Sequence, residues 1–257
     1  DGVIIGDMPS HERNVILKYC FQHSIRSYSV PKISDILLKS SDELNLFDSP
    51  LLLSRNVGLT LEQEFGKRVM DIIGSAIGII VSLPFFIVIA ACIKLTDGGP
   101  VFYTQTRLTK GGRPFKIYKF RTMIQNAEKD GIPRLAAEHD PRILPVGRLL
   151  RRTRLDELPQ IYNIFKGDMS LVGPRPERPE LVEEFTAEIP EFPCRMQVKA
   201  GLTGYAQVYG KYNTTPYDKL KLDLTYIRNY SLVLDLKLIL MTPKILFLKE
   251  STEGVQP

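Results

Sequence analysis

Val69-Met70-Asp71-Ile72-Ile73-Gly74-Ser75-Ala76-Ile77-Gly78-Ile79-Ile80-Val81-Ser82-Leu83-Pro84-Phe85-Phe86-Ile87-Val88-Ile89-Ala90-Ala91-Cys92-Ile93 is almost wholly apolar, with Asp71 its only charge. As a helix it is long enough to cross a bilayer. Three details oppose a simple span. Pro84 lacks a backbone donor and, with Ser82, interrupts the centre. Gly74 and Gly78 weaken the first half. Lys67 and Arg68 precede the run and Lys94 follows it, so the positive-inside rule assigns no direction. A helix that enters, breaks at Ser82–Pro84 and returns to the same face accounts for basic flanks on both sides. The Ser82 hydroxyl is one partner for the backbone groups so freed. The residues leave a re-entrant and a spanning helix both open, with a buried hairpin in a soluble protein as a third reading.

Upstream, residues 1–60 alternate. Asp1 to Gly6 predicts a strand, Ser10 caps a helix to about His23, and Ser27 to Val30 predicts a second strand ended by Pro31. Ser34 to Leu38 begins another helix, and Leu44 to Leu53 reads as irregular around Pro50. This βαβ rhythm fits part of a Rossmann-like sheet. The glycine-rich phosphate loop of such sheets is absent, which favours a docking or regulatory module over a dinucleotide site. A chain that opens on Asp1 and runs at once into Val3-Ile4-Ile5 reads as a piece of something longer.

Downstream, Asp97-Gly98-Gly99-Pro100 is a turn. Val101 to Gln105 and Pro114 to Phe120 predict short strands around Lys110-Gly111-Gly112-Arg113. Asp130 to His139 reads as loop. Arg142 to Arg154 is basic and amphipathic, which suits either an anionic surface or a soluble helix with a solvated face. Pro216 opens another helix. Leu232 to Leu248 is apolar but carries Asp235, Lys237, Pro243 and Lys244, so it lies at an interface with snorkelling lysines or in the core.

The 257 residues carry a net charge of +5. That balance suits lipid headgroups, nucleotides or nucleic acid, but no RNA-binding or zinc-finger spacing appears, so no nucleic-acid partner is expected. Cys20, Cys92 and Cys194 are far apart and odd in number, against a disulfide framework or a cysteine metal site. His11, His23 and His139 show no ligand spacing.

The chemistry concentrates in Arg151-Arg152-Thr153-Arg154-Leu155-Asp156-Glu157-Leu158-Pro159-Gln160 and Gly167-Asp168-Met169-Ser170-Leu171-Val172-Gly173-Pro174-Arg175-Pro176. An adjacent acidic pair alone decides nothing, since 29 acids in 257 residues give about three by chance. Asp42-Glu43 and Glu183-Glu184 are such pairs. A bland reading makes Asp156 a helix cap ahead of Pro159. The chemical reading uses the neighbours. Arg151, Arg152 and Arg154 favour an ionised Asp156, which can attack phosphorus to form an acyl phosphate. Arginine forks and Mg²⁺, with Asp156 as its protein ligand, would shield the approaching anion. Arg175, stiffened by Pro174 and Pro176, suits a phosphate clamp; its bland partner is Glu177. Arg151 is a second phosphate-binding candidate. Lys119 and Arg121 are further ones, set against a solvated strand face. Carboxylates, arginines and an apolar run together point to a phosphorylated lipid.

From about Glu64 to Lys249 the chain resembles the bacterial sugar transferase family, the monotopic polyprenol-phosphate phosphoglycosyl transferases. The resemblance rests on Lys67-Arg68-Val69-Met70-Asp71, the apolar run with Ser82 and Pro84, Lys116 to Met123, Asp140-Pro141-Arg142, Leu155 to Gln160, Gly167 to Pro176, and Gly201-Leu202-Thr203-Gly204-Tyr205-Ala206-Gln207-Val208. It implies an α+β fold at 61–257, with a re-entrant membrane helix at about 67–95, amphipathic interfacial helices and a small β element. Residues 1–60 would be the C-terminal part of a Rossmann-like domain, as in long members. It implies that Asp156 attacks the sugar-bearing phosphate of a UDP-sugar, that UMP leaves, and that polyprenol phosphate then takes the phosphosugar. Glu157 is implied as the second catalytic residue and Mg²⁺ as cofactor. The implied setting is the cytoplasmic face of the bacterial inner membrane, with membrane lipid as a partner, and a homodimer is compatible with the docking module. Some members have Ser and Pro adjacent, whereas here Leu83 separates Ser82 from Pro84. Against this stand a non-enzymatic membrane module and a soluble dehydrogenase, the latter without its glycine fingerprint.

Overall fold

The computed structural model describes residues 2–39, 41–46, 49–54, 58–125, 127, 140–211 and 213–246. The expected loop at 130–139 lies outside them. The chain divides into two compact units, Asp1–Arg55 and Asn56–Pro257.

The first unit runs β1 (Val3–Ile5), α1 (Ser10–Gln22), β2 (Ser27–Ser29), α2 (Ile33–Lys39), β3 (Asp42–Leu46) and β4 (Ser49–Leu53). Strands β1 and β2 pair in parallel, Ile4 opposite Tyr28, across the α1 crossover. Ile5, Cys20, Ile33 and Ile36 are buried, and Arg13 donates through Nη2 to Asp35 Oδ1 at 2.9 Å. Ser10 does not cap α1. Pro9 holds that position, and the Ser10 hydroxyl accepts from Lys32 Nζ at 3.1 Å. The stretch expected to be irregular around Pro50 is instead an antiparallel hairpin, with Pro50 opposite Asn45. A two-stranded hairpin has only edge strands, where the missing proline donor is tolerated.

The second unit begins with α3 (Leu61–Asp97). Thr60 and Gln63 form a capping box: Thr60 Oγ1 accepts from Gln63 N at 3.3 Å, and Gln63 Oε1 accepts from Thr60 N at 3.0 Å. Gly98, at φ 71°, ends the helix in the left-handed region. The helix carries Pro84 inside it and is not interrupted at Ser82–Pro84. The Ser82 hydroxyl donates to the Ile79 carbonyl at 3.2 Å, not to Ile80, whose usual amide partner proline removes. α3 is long and apolar enough to cross a membrane. Ile80, Val81, Leu83, Phe85, Ile87 and Val88 are each 55–73% exposed, an apolar surface that water does not favour.

A hairpin follows, β5 (Phe102–Leu108) against β6 (Pro114–Phe120), turning through a 3₁₀ segment at Lys110–Gly112. Then come α4 (Pro145–Thr153), α5 (Gln160–Lys166), β7 (Ser170–Val172), α6 (Pro179–Glu188), β8 (Gly201–Thr203), α7 (Tyr205–Tyr209), α8 (Pro216–Arg228) and α9 (Leu232–Leu246). The expected helix at 142–154 starts late because Pro145 occupies its first turn. Strands β7 and β8 pair in parallel, so the two motifs at 167–176 and 201–208 meet each other. The contact is tight. A Cβ on Gly204 would lie 2.1 Å from the Gly173 carbonyl oxygen, which only glycine avoids.

Both halves of α3 pack on this unit. Asp71, 1% exposed, accepts from Ser170 Oγ and Leu171 N, each at 2.9 Å. Arg68 donates to the Ile164 and Phe165 carbonyls, both at 2.8 Å. The second half sends Ile89 and Ile93 into a cluster with Phe120 and Leu150, bordered by Leu155 and Leu158. A second cluster joins Phe115, Ile117, Ile164 and Met169. α9 divides by face: Asp235 and Leu238 are fully buried, whereas Val233, Leu236 and Leu240 are 53–79% exposed. Buried Asp235 pairs with Lys67 and accepts from the Tyr226 hydroxyl at 2.7 Å.

Candidate functional site

Helix α4 stops at Arg154, whose φ of 54° places a side-chain-bearing residue in the left-handed region. That reversal feeds one 3₁₀ turn, Leu155–Glu157, ahead of α5. Leu155 and Leu158 insert into the apolar cluster on either side of the acidic pair. Two hydrophobic anchors thus fix where Asp156 and Glu157 stand. The capping alternative has no geometry behind it, since no side chain caps α5, whose N-cap is Pro159.

Glu157 is 8% exposed, and its Oε1 accepts from Lys119 Nζ and from Arg175 Nη2, each at 2.8 Å. Burial works to raise its carboxyl, but the charges and hydrogen bonds of Arg175 and Lys119 outweigh that and hold it well below the usual range. Asp156 beside it is part-exposed and takes no protein hydrogen bond. Burial pushes its carboxyl up to about 6, with the Glu157 charge adding to the rise against Lys119, Arg151 and Arg175. Adjacent acids with separated ionisation are an arrangement that lets one be fixed and the other reactive.

Of the expected site residues, Asp156, Glu157, Lys119 and Arg175 come together. Arg151 acts on Asp156 through its charge, and its Nε donates to Thr122 Oγ1 at 2.9 Å. Arg175 pairs with Glu157, not with Glu177. Arg121 stands apart from that group. It is 6% exposed, and both terminal nitrogens bind Asp97, Nη1 to Oδ2 at 2.9 Å, so its fork ties the end of β6 to the end of α3. Its side chain is 7% exposed, against 41% for that of Arg175. Ser82 and Pro84 lie within α3, away from these contacts.

Other residues were not singled out from the sequence. Asn163, fully buried, accepts from Tyr118 N at 3.0 Å and donates to the Lys116 carbonyl at 2.8 Å, which fastens α5 to β6 beside Lys119. Asp71 fastens α3 to β7. An isolated Asn or Asp carries no spacing pattern that would mark it in advance. Arg154 was read only as surrounding charge; burial and then the Arg175 charge lower its pKa.

Comparison with known proteins places this geometry. Residues 62–249 match the model of the bacterial sugar transferase family. The UDP-N-acetylgalactosamine-undecaprenyl-phosphate N-acetylgalactosaminephosphotransferase of Aeromonas hydrophila is 44% identical over 181 residues, which is 69% of this chain and 43% of that protein. The UDP-glucose:undecaprenyl-phosphate glucose-1-phosphate transferase of Caulobacter vibrioides is 39% identical over 220 residues, 82% of each chain. The undecaprenyl-phosphate galactose phosphotransferase of Salmonella typhimurium is 34% identical over 253 residues, 91% of this chain and 52% of that one. The chain thus spans about half or less of its longer relatives. With a matched segment that contains the acidic pair, both of its cationic partners and the paired β7 and β8 motifs, the chain belongs to the bacterial sugar transferase family.

Proposed function

We propose that the chain transfers a sugar 1-phosphate from a UDP-sugar to polyprenol phosphate. One observation carries the mechanism: Glu157 is held by Lys119 and Arg175, while Asp156 beside it is part-exposed and free of protein hydrogen bonds. An Asp156 oxygen attacks the phosphorus that bears the sugar, the bond to the bridging oxygen breaks, and UMP leaves with that oxygen. Arg175 and Lys119 lie where they bind and orient the phosphates, with Arg151 behind Asp156. An oxygen of polyprenol phosphate then attacks the same phosphorus and frees Asp156, giving the polyprenol-diphosphate sugar.

The residues fit Mg²⁺. This ion takes one or two carboxylates and completes its shell with substrate phosphates and water. Among the described residues no group of three His, Cys, Asp or Glu could hold a metal. Glu157 is engaged by Lys119 and Arg175, so part-exposed Asp156 would be the protein ligand. When bound, the ion would neutralise phosphate charge.

We propose that α3 is re-entrant, bending at Pro84 within its continuous helix so that both ends meet the cytoplasmic face of the inner membrane. Basic flanks at both ends and the packing of both halves on one unit support this. The test is UMP release by the purified chain with Mg²⁺, offered UDP-N-acetylgalactosamine or UDP-glucose, before and after undecaprenyl phosphate is added. Up to one equivalent of UMP per enzyme before acceptor supports the covalent route. UMP that appears only with acceptor indicates direct transfer, and none with any UDP-sugar rejects the activity.

A further inference from the structure

The loop that carries Arg175 is unusual in how its backbone is held. Pro174 and Pro176 have no N–H, so around Arg175 the carbonyls are the main backbone handles. Four successive carbonyls each take a donor. Pro174 O accepts from Gly201 N at 2.9 Å, and Glu177 O accepts from Leu108 N at 3.1 Å. Between these backbone donors, the two middle carbonyls are met by arginines. Arg195 Nη2 donates to Arg175 O at 3.1 Å, and Arg107 Nη1 donates to Pro176 O at 3.1 Å.

Arg195 is the more constrained of the two. Its side chain is 4% exposed, far too buried to meet a soluble substrate. Nη2 lies 2.7 Å from Asp223 Oδ2, whose side chain is 1% exposed. Nη1 lies 3.5 Å from Glu177 Oε1, and the guanidinium sits 5.0 Å from the centre of the Phe192 ring. Burying such a pair is costly, and a hydrophobic filler would serve stability as well. What the filler cannot do is donate to a carbonyl at a set place. The carbonyl that receives the bond belongs to Arg175, whose own guanidinium donates to Glu157.

We propose that Arg195, anchored by Asp223, is a positioning residue that sets the Arg175 guanidinium at the phosphate site. This rests on the reading of Arg175 as a phosphate clamp. Arg195 touches no substrate and acts through the Arg175 backbone. A displacement of the clamp by about 1 Å is enough to cost about 100-fold in rate.

The experiment is a double-mutant cycle in the full chain purified in detergent, read as kcat and KM for UMP release from whichever of UDP-N-acetylgalactosamine and UDP-glucose is turned over. Arg195→Gln should lower kcat/KM by about 100-fold. In an Arg175→Ala background the same change should add less than about threefold, because the clamp it positions is gone. Because Arg195→Gln leaves Asp223 buried without its cation, the neutral pair Arg195→Gln/Asp223→Asn is measured alongside as the form that folds. It should show the same loss and the same non-additivity. Losses that multiply with Arg175→Ala, or a normal kcat/KM in either Arg195 variant, overturn the positioning role while the clamp reading stands. A normal Arg175→Ala enzyme overturns the clamp reading itself, and the proposal with it.

Discussion

Asp156 and Glu157 are neighbours in the chain with opposite electrostatic fates. Glu157 is held ionised by Lys119 and Arg175, while burial pushes Asp156 up to about 6. The separation comes from hydrogen bonding: Glu157 accepts from both Lys119 and Arg175, whereas Asp156 feels those cations only through their charge. Asp156→Asn keeps the shape and removes the nucleophile, so UMP release should fall by on the order of 10⁴-fold or more. A variant within tenfold of the parent would remove Asp156 from the mechanism.

The raised Asp156 carboxyl sets a pH dependence of activity. Its reactive form is the carboxylate, which is lost as pH falls through about 6. Below that point kcat/KM should drop about tenfold per pH unit. A flat profile from pH 7.5 to 4.5 would contradict this.

The same shift makes a stability prediction. The folded value lies above the ordinary 3.8, so the folded state binds the proton more tightly than the unfolded chain. The stability so contributed is fully present below the ordinary value and lost as pH rises through about 6. Asp156→Asn avoids the loss, worth about 3 kcal/mol above pH 6. Its Tm should therefore exceed the parent's by several degrees at pH 7.5 and match it below pH 4, as calorimetry would show.

Arg175→Lys retains charge but gives up the fork, and should still lose activity. Arg175→Ala should lose more, about 10²–10³-fold, as expected for a group aimed at charge developing in the transition state. Turnover assays on the three forms rank them, and equal activity of Lys and Arg would mean the site needs only a point charge.

Arg121 tests a different principle. Asp97→Ala leaves the buried Arg121 guanidinium without its anion and should cost about 3 kcal/mol of stability, whereas Arg121→Ala leaves only a solvated carboxylate and should cost less. The double variant should recover part of the Asp97→Ala loss, because neither charge is then left alone. A direct phosphate contact would instead show full stability and a raised KM for the UDP-sugar.

The topology of α3 is open to labelling. With Cys20, Cys92 and Cys194 replaced, a cysteine at Gln63 and another at Thr96 should both react from the cytoplasmic side only. Opposite-side labelling would establish a transmembrane span.

Much of this was legible locally. The β5–β6 hairpin follows from two short strand-like runs around Gly111 and Gly112, α4 from the amphipathic run at 142–154 and α8 from the run opened by Pro216. The acidic pair, Lys119 and Arg175 were legible as chemical types, although nothing in their spacing says that one Glu157 oxygen receives both cations. What was not legible has physical causes. Pro50 was weighed against a strand, but it stands in a hairpin made only of edges. The partner of Arg121, Asp97, lies 24 residues earlier and is brought near only when β6 folds back on α3. Arg195 and Asp223 sit in stretches with no motif, and their meeting depends on α8 packing behind the Pro-Arg-Pro loop.

Asp71 has a mechanical consequence. Its bonds to Ser170 and Leu171, with Ile89 and Ile93 locked against Phe120 further along, join the apolar helix to the reaction site at two points. If lipid sets how deeply that helix sinks, it also sets the height of Asp156 above the bilayer. On the proposed reading the helix would then work as a depth gauge, matching Asp156 to the level at which a lipid-borne phosphate emerges. Loosening Asp71 would remove one of the two points and let the helix shift against the site.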